Sequence, residues 1–133
     1  MPLYAMPSSQ LVQIDVAVET TTSESFVKLK EIVITWPGTY RIKFGLQATS
    51  GSGTMSAAIY RNAVRVGVIR ALASLEAAAT IYIEDSGGWE KNDLCQLYGS
   101  RSAGGLGICN VSDFALFGSY ADVPNPIPAG QVT

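Results

Sequence analysis

The chain has 133 residues, 47% of them hydrophobic and 15% charged, which is enough apolar material for one core and too little length for two ordinary domains. Nine basic residues against eleven acidic ones leave a net charge of -2 with no basic run, so a nucleic-acid footprint is not expected. The sequence contains no histidine, which removes the usual general base, zinc ligand and neutral-pH switch together. Charged residues fall well below the usual quarter and mean hydropathy is +0.22, so surface buried in an assembly is expected.

Residues 1–10 contain Pro2, Pro7, Ser8 and Ser9, a composition that disfavours helix and interior strand and predicts an N-terminal arm. Val12, Ile14, Val16 and Val18 then alternate with Gln13, Asp15, Ala17 and Glu19, the signature of a half-buried strand. From Phe26 to Thr35 the segment is β-rich, but its alternation slips at Glu31, which predicts a bulge or two short strands. Pro37-Gly38 makes a turn, and Tyr40, Ile42, Phe44 and Leu46 follow as the cleanest strand. Met55, Ala57 and Ile59, the turn Arg61-Asn62-Ala63, and then Val64, Val66 and Val68 read as a hairpin. Ala71 to Ala79 has helical composition but spans only about two turns and leads directly into Thr80 to Glu84, so it is read as a connection between strands. Asp85 to Gly88 reads as a turn, Leu94 to Tyr98 as a strand, Ser100 to Gly105 as a loop, and Leu106 to Tyr120 as a closing strand. The three alternate prolines Pro124, Pro126 and Pro128 predict an extended C-terminal arm over 122–133.

Eight or so short strands with regularly spaced turns imply an all-β protein, a β-sandwich or jelly roll over 11–121. Its inward set reads as Ile14, Val16, Tyr40, Ile42, Phe44, Ile59, Val66, Ile81, Ile83, Leu97, Phe114 and Leu116. If Leu94 to Tyr98 and Leu106 to Asn110 pair as a hairpin centred on Ser102, then Cys95 and Cys109 stand opposite each other as a candidate disulfide, the alternative being two small buried hydrophobes.

Chemistry is sparse. Gly99 to Gly105 is glycine-rich but lacks the Gly-Lys-Ser/Thr opening onto a helix that phosphate binding needs, and a hairpin loop is the plainer reading. Glu84, Asp85, Asn92 and Asp93 offer oxygen ligands around one turn at no known calcium spacing, and a solvated turn explains them equally. Trp36 and Trp89 lie at turns and form a candidate platform for sugar stacking, with core lids or subunit contacts as the alternative. No serine elbow or dyad is present, so neither an enzyme nor a cofactor is expected. No stretch is long and apolar enough for a membrane span, and residues 1–7 lack the features of a secretory signal.

Four motifs in order, Pro37 to Phe44, Ala58 to Gly67, Asn92 to Tyr98 and Ser112 to Gly118, resemble the C1q/TNF-like jelly roll over residues 26–120. Ala63 and Asn92 stand where that pattern has turn glycines. The resemblance implies a jelly-roll β-sandwich with extended arms and closed homotrimers, with Tyr60, Tyr98 and Phe117 as the candidate subunit interface. Similar domains serve as surface decorations, head fibres or tail parts of tailed phages and other viruses. The function implied is a non-enzymatic virion structural protein, a capsid decoration or surface protein on the virion, partnered by itself and by other capsid proteins. A carbohydrate- or receptor-binding fibre tip and an extracellular filament subunit are the alternatives.

Overall fold

A computed structural model describes residues 3–49, 53–73 and 79–122, with backbone alone at 3–4 and 120–122. Ten strands follow in chain order: β1 (Leu3–Asp15), β2 (Glu19–Thr21), β3 (Val27–Val33), β4 (Gly38–Thr49), β5 (Met55–Arg61), β6 (Val64–Arg65), β7 (Arg70–Leu72), β8 (Thr80–Trp89), β9 (Leu94–Arg101) and β10 (Ile108–Asp122). No helix occurs among the described residues. Of the connection expected over 71–79, Ala71 and Leu72 belong to β7 and 74–78 lie outside the described residues, as does the C-terminal arm beyond Asp122.

The strands form two five-stranded sheets. In sheet A the order is β2, β10, β1, β4, β8, with β10 also pairing directly to β4 and β1 meeting β4 at Ala5 and Gly38. In sheet B the order is β3, β9, β5, with β6 and β7 both pairing to β5. The core lies between the two: Tyr40, Ile42, Phe44, Leu46, Val111, Phe114 and Leu116 from sheet A meet Ile32, Met55, Ile59, Cys95 and Leu97 from sheet B. The molecule is all-β and sandwich-like, and period-two alternation on β4 and β5 dictates which side chains enter it.

Four sequence expectations are corrected. Residues 3–10 are not a free arm: they are the first part of β1, Ala5 is buried in the core, and its amide donates to the Pro37 carbonyl at 2.6 Å. Gly38 (φ 133) makes this approach feasible, because a Cβ there would run into the Ala5 backbone. Second, of the inward set, Ile14, Val16, Val66, Ile81 and Ile83 are exposed. On β1 the register breaks between Leu11 and Gln13, and one inserted residue exchanges the faces that follow it. On β8 it is Tyr82, opposite Phe44 and tilted against it at 5.7 Å, that turns inward, so Ile81 and Ile83 must face out. Val66 lies just beyond the two-residue β6, outside any strand.

Third, Asp85 to Gly88 does not turn. β8 runs straight through it and absorbs the glycines in a bulge against Gly38–Tyr40, with Gly88 at φ 78. Fourth, β9 and β10 do not form a hairpin, because β9 belongs to sheet B and β10 to sheet A. Cys95 and Cys109 are therefore free, buried thiols instead of a bridge. Burial pushes the Cys95 thiol far up and that of Cys109 up to about 11. The bulge expected near Glu31 is present, as a register shift between Lys28 and Lys30.

Candidate functional site

Cross-strand partners share a face, so the register writes out the outward surface of sheet A row by row. Leu11, Phe117, Arg41 and Asp85 form one row, Ile14, Ala115, Lys43 and Ile83 the next, and Ser112, Gly45 and Ile81 the third. Leu11, Ile14, Ile81 and Ile83 are 48%, 45%, 48% and 54% exposed, so four exposed aliphatic side chains share a single sheet face with Phe117. Arg41 and Asp85 neutralise each other at 2.9 Å, and that carboxylate raises the guanidinium pKa above its ordinary value. Lys43 covers Phe117, its ammonium 5.5 Å from the ring centre. A shallow cleft of about 300 Å³ opens here between Ser8, Ser9, Arg41, Lys43, Ile83 and Phe117. It holds no acid-base pair and no activated nucleophile. What such a face can do is dock.

The outward surface of sheet B is polar in its middle, with Val33 and Val64 exposed on its edge strands β3 and β6. Tyr60 and Tyr98 stack at 3.8 Å, with Phe26 tilted against Tyr60 at 6.1 Å. Gln96 donates to Glu31 Oε2 at 2.9 Å and accepts the Ala63 amide at 2.7 Å, while Lys28 pairs with Glu31 at 3.0 Å. The hydrogen bond from Gln96 and then that from Lys28 hold Glu31 below the usual carboxylate range. The expected interface of Tyr60, Tyr98 and Phe117 is thus divided: the tyrosines lie on sheet B and Phe117 lies on sheet A, facing the opposite way.

The other candidates are placed as follows. Trp89 is buried, its Nε1–H donating to Ser86 Oγ at 3.1 Å and Arg61 lying 5.7 Å over its ring, so it is a core lid and not a platform. Trp36 is half-buried, and its carbonyl accepts the Tyr40 hydroxyl at 2.6 Å. The oxygens considered for calcium are committed to arginines: Asp85 to Arg41, Glu84 to Arg70 at 3.6 Å, and Asp93 to Arg61 at 2.8 Å. Burial opposes the charge on Asp93, but bonds from Glu90, Asn62 and Arg61 outweigh it and keep the carboxyl below its ordinary value. In the glycine-rich turn, the Gly104 amide that would meet a phosphate donates instead to Glu24 Oε2 at 3.0 Å. Among the described residues no group of three His, Cys, Asp or Glu side chains gathers as metal ligands.

Reasoning from sequence missed Leu11, Ile14, Ile81 and Ile83 as surface residues. The available signal was on β4, where Arg41 and Lys43 mark the outward face, but which strands lie beside β4 is not written in its own sequence. No known protein family, curated protein or solved structure matches the chain.

Proposed function

We propose that this chain is a non-enzymatic structural protein of a virion, a capsid decoration or surface protein that assembles as a homotrimer through the outward face of sheet A. The observation that carries the assembly is the set of exposed aliphatic side chains Leu11, Ile14, Ile81 and Ile83 that share one sheet face with Phe117. Roughly 25 cal/mol per Å² of such surface favours its removal from water; the Arg41–Asp85 pair at its border is neutral, and the Lys43 ammonium over Phe117 is a charge that the assembly must accommodate.

The fold is read here as a jelly roll. Counting β1 with β2, and β6 with β7, as single interrupted strands leaves eight positions in the orders 1-8-3-6 and 2-7-4-5. In those orders the pairs 1·8, 2·7, 3·6 and 4·5 are neighbours, as in one long hairpin rolled over itself, and this supports the C1q/TNF-like reading. The virion role rests on that resemblance and on the low charge content of 15%.

Sedimentation tests the assembly. The expected species has three times the 14.1 kDa chain mass, and Ile83→Lys sediments as a folded monomer. A wild-type monomer at micromolar concentration overturns the homotrimer. Mass spectrometry of purified particles from a host producing this chain tests the virion role, which fails if the chain is absent from them.

A further inference from the structure

β1 is held in sheet A chiefly at its two ends. At the start, Ala5 is locked against Pro37 and Gly38. Between the ends Val12 packs partly buried against the core while Met6, Leu11 and Ile14 are exposed, and the register with β10 breaks between Met6 and Leu11 and again between Leu11 and Gln13. At the other end, Lys30 of β3 reaches out of sheet B to Asp15. The Lys30 side chain is wholly removed from solvent; its ammonium lies 3.0 Å from Asp15 Oδ1 and donates to the Asp15 carbonyl at 3.3 Å.

No other carboxylate forms an ion pair with Lys30 among the described residues. On β3, Lys28 and Glu31 are paired with each other. On β9 the residue opposite Lys30 is Leu97, and the nearby ionisable groups are Cys95, a buried thiol, and Tyr98. On β10 the residue opposite Asp15 is Phe114, next to Asp113, and β2 brings Glu19. Remove the Asp15 charge and Lys30 is left as a buried cation without a counter-charge, a state that relaxes most cheaply if the ammonium reaches water. Both groups bonded to that ammonium, the Asp15 carboxylate and carbonyl, belong to the end of β1.

We propose that the Lys30–Asp15 pair is a clasp that decides whether β1 stays in sheet A, and so whether the self-association face is complete, since Leu11 and Ile14 belong to β1. The inference rests on the reading of that face as the self-association surface. Opening the clasp frees the edge of β10 from Phe114 to Phe117 and takes two of the four exposed aliphatics out of the face. The pair is complete at neutral pH, because the hydrogen bond from Lys30 holds the Asp15 carboxyl below its ordinary 3.8. Acid below that range opens it.

The test is amide hydrogen exchange at neutral pH on wild type, Asp15→Asn and the double variant Asp15→Asn/Lys30→Met, with sedimentation alongside. In Asp15→Asn the amides of Gln13 to Asp15 and Phe114 to Leu116 should exchange about tenfold faster or more, those of β5 and β9 should not change, and the trimer should dissociate. The double variant, which buries no charge, should restore slow exchange and assembly. Wild-type exchange in Asp15→Asn, an equal loss of protection throughout β9, or a double variant that stays open would each overturn the clasp. If wild type proves monomeric, the assembly reading fails by itself and the exchange pattern still decides the clasp.

Discussion

Ala63 sits at φ 70, beside Asn62 at φ 50, in the two-residue turn joining β5 to β6. Both central residues of such a turn take positive φ, which asparagine tolerates and alanine resists. Ala63→Gly should therefore stabilise the protein by about 1 kcal/mol in urea unfolding, the relief of left-handed strain exceeding the added freedom of the unfolded chain; an unchanged or lower midpoint would contradict this. Phe44 is fully buried, and Phe44→Ala should cost about 3–5 kcal/mol by the same measurement. The thiols of Cys95 and Cys109 lie on different sheets, so intact mass should be identical with and without reductant, and neither should react with a thiol reagent before unfolding. Asp15, Glu31 and Asp93 all have carboxyl pKa values lowered in the folded state. Each therefore contributes stability that is fully present above the ordinary carboxylate range and is lost as pH falls through the folded values. The urea midpoint should be flat from about pH 5 to 8 and decline below about pH 4.

Among the elements, β1 and β8 carry the consequences of register. A strand bearing prolines and serines at its start can still pair where its neighbour is a glycine, and Ala5 on Gly38 shows how. Deleting residues 1–9 should then lower stability by roughly 1–3 kcal/mol through lost backbone pairing, where a free arm would leave the unfolding midpoint untouched. β8 shows the limit of alternation. Ile81 and Ile83 alternate with Tyr82 and Glu84 as a half-buried strand should, but alternation defines two faces without saying which one meets the core. The tilted contact of Tyr82 with Phe44 and the pairing of Glu84 with Arg70 decide it.

For the whole molecule, the two outward faces differ in what they offer. Sheet B covers the middle of its surface with stacked tyrosines and the chain of bonds Lys28–Glu31–Gln96–Ala63 and leaves Val33 and Val64 exposed on its edge strands, while sheet A gathers four exposed aliphatic side chains on one face. Phe117→Lys, which sets a second ammonium beside Lys43 in the middle of that face, should dissociate the assembly without lowering monomer stability by more than about 1 kcal/mol. Tyr98→Lys on the opposite face should leave the sedimentation coefficient unchanged. The reverse pattern would move self-association to sheet B.

The all-β character, an irregularity near Glu31, the inward side chains of β4, β5 and β9 and the lack of histidine were legible in the sequence, because these follow from local periodicity and composition. Long-range pairing placed β9 and β10, neighbours in sequence, in different sheets, which separates the cysteines and sets Phe117 apart from the stacked Tyr60 and Tyr98. It also decided that the aliphatic faces of β1 and β8 point outward. A residue's alternation is fixed by its own backbone, whereas its partner across the sheet is chosen by long-range pairing between segments far apart in the chain, and no local pattern records that choice.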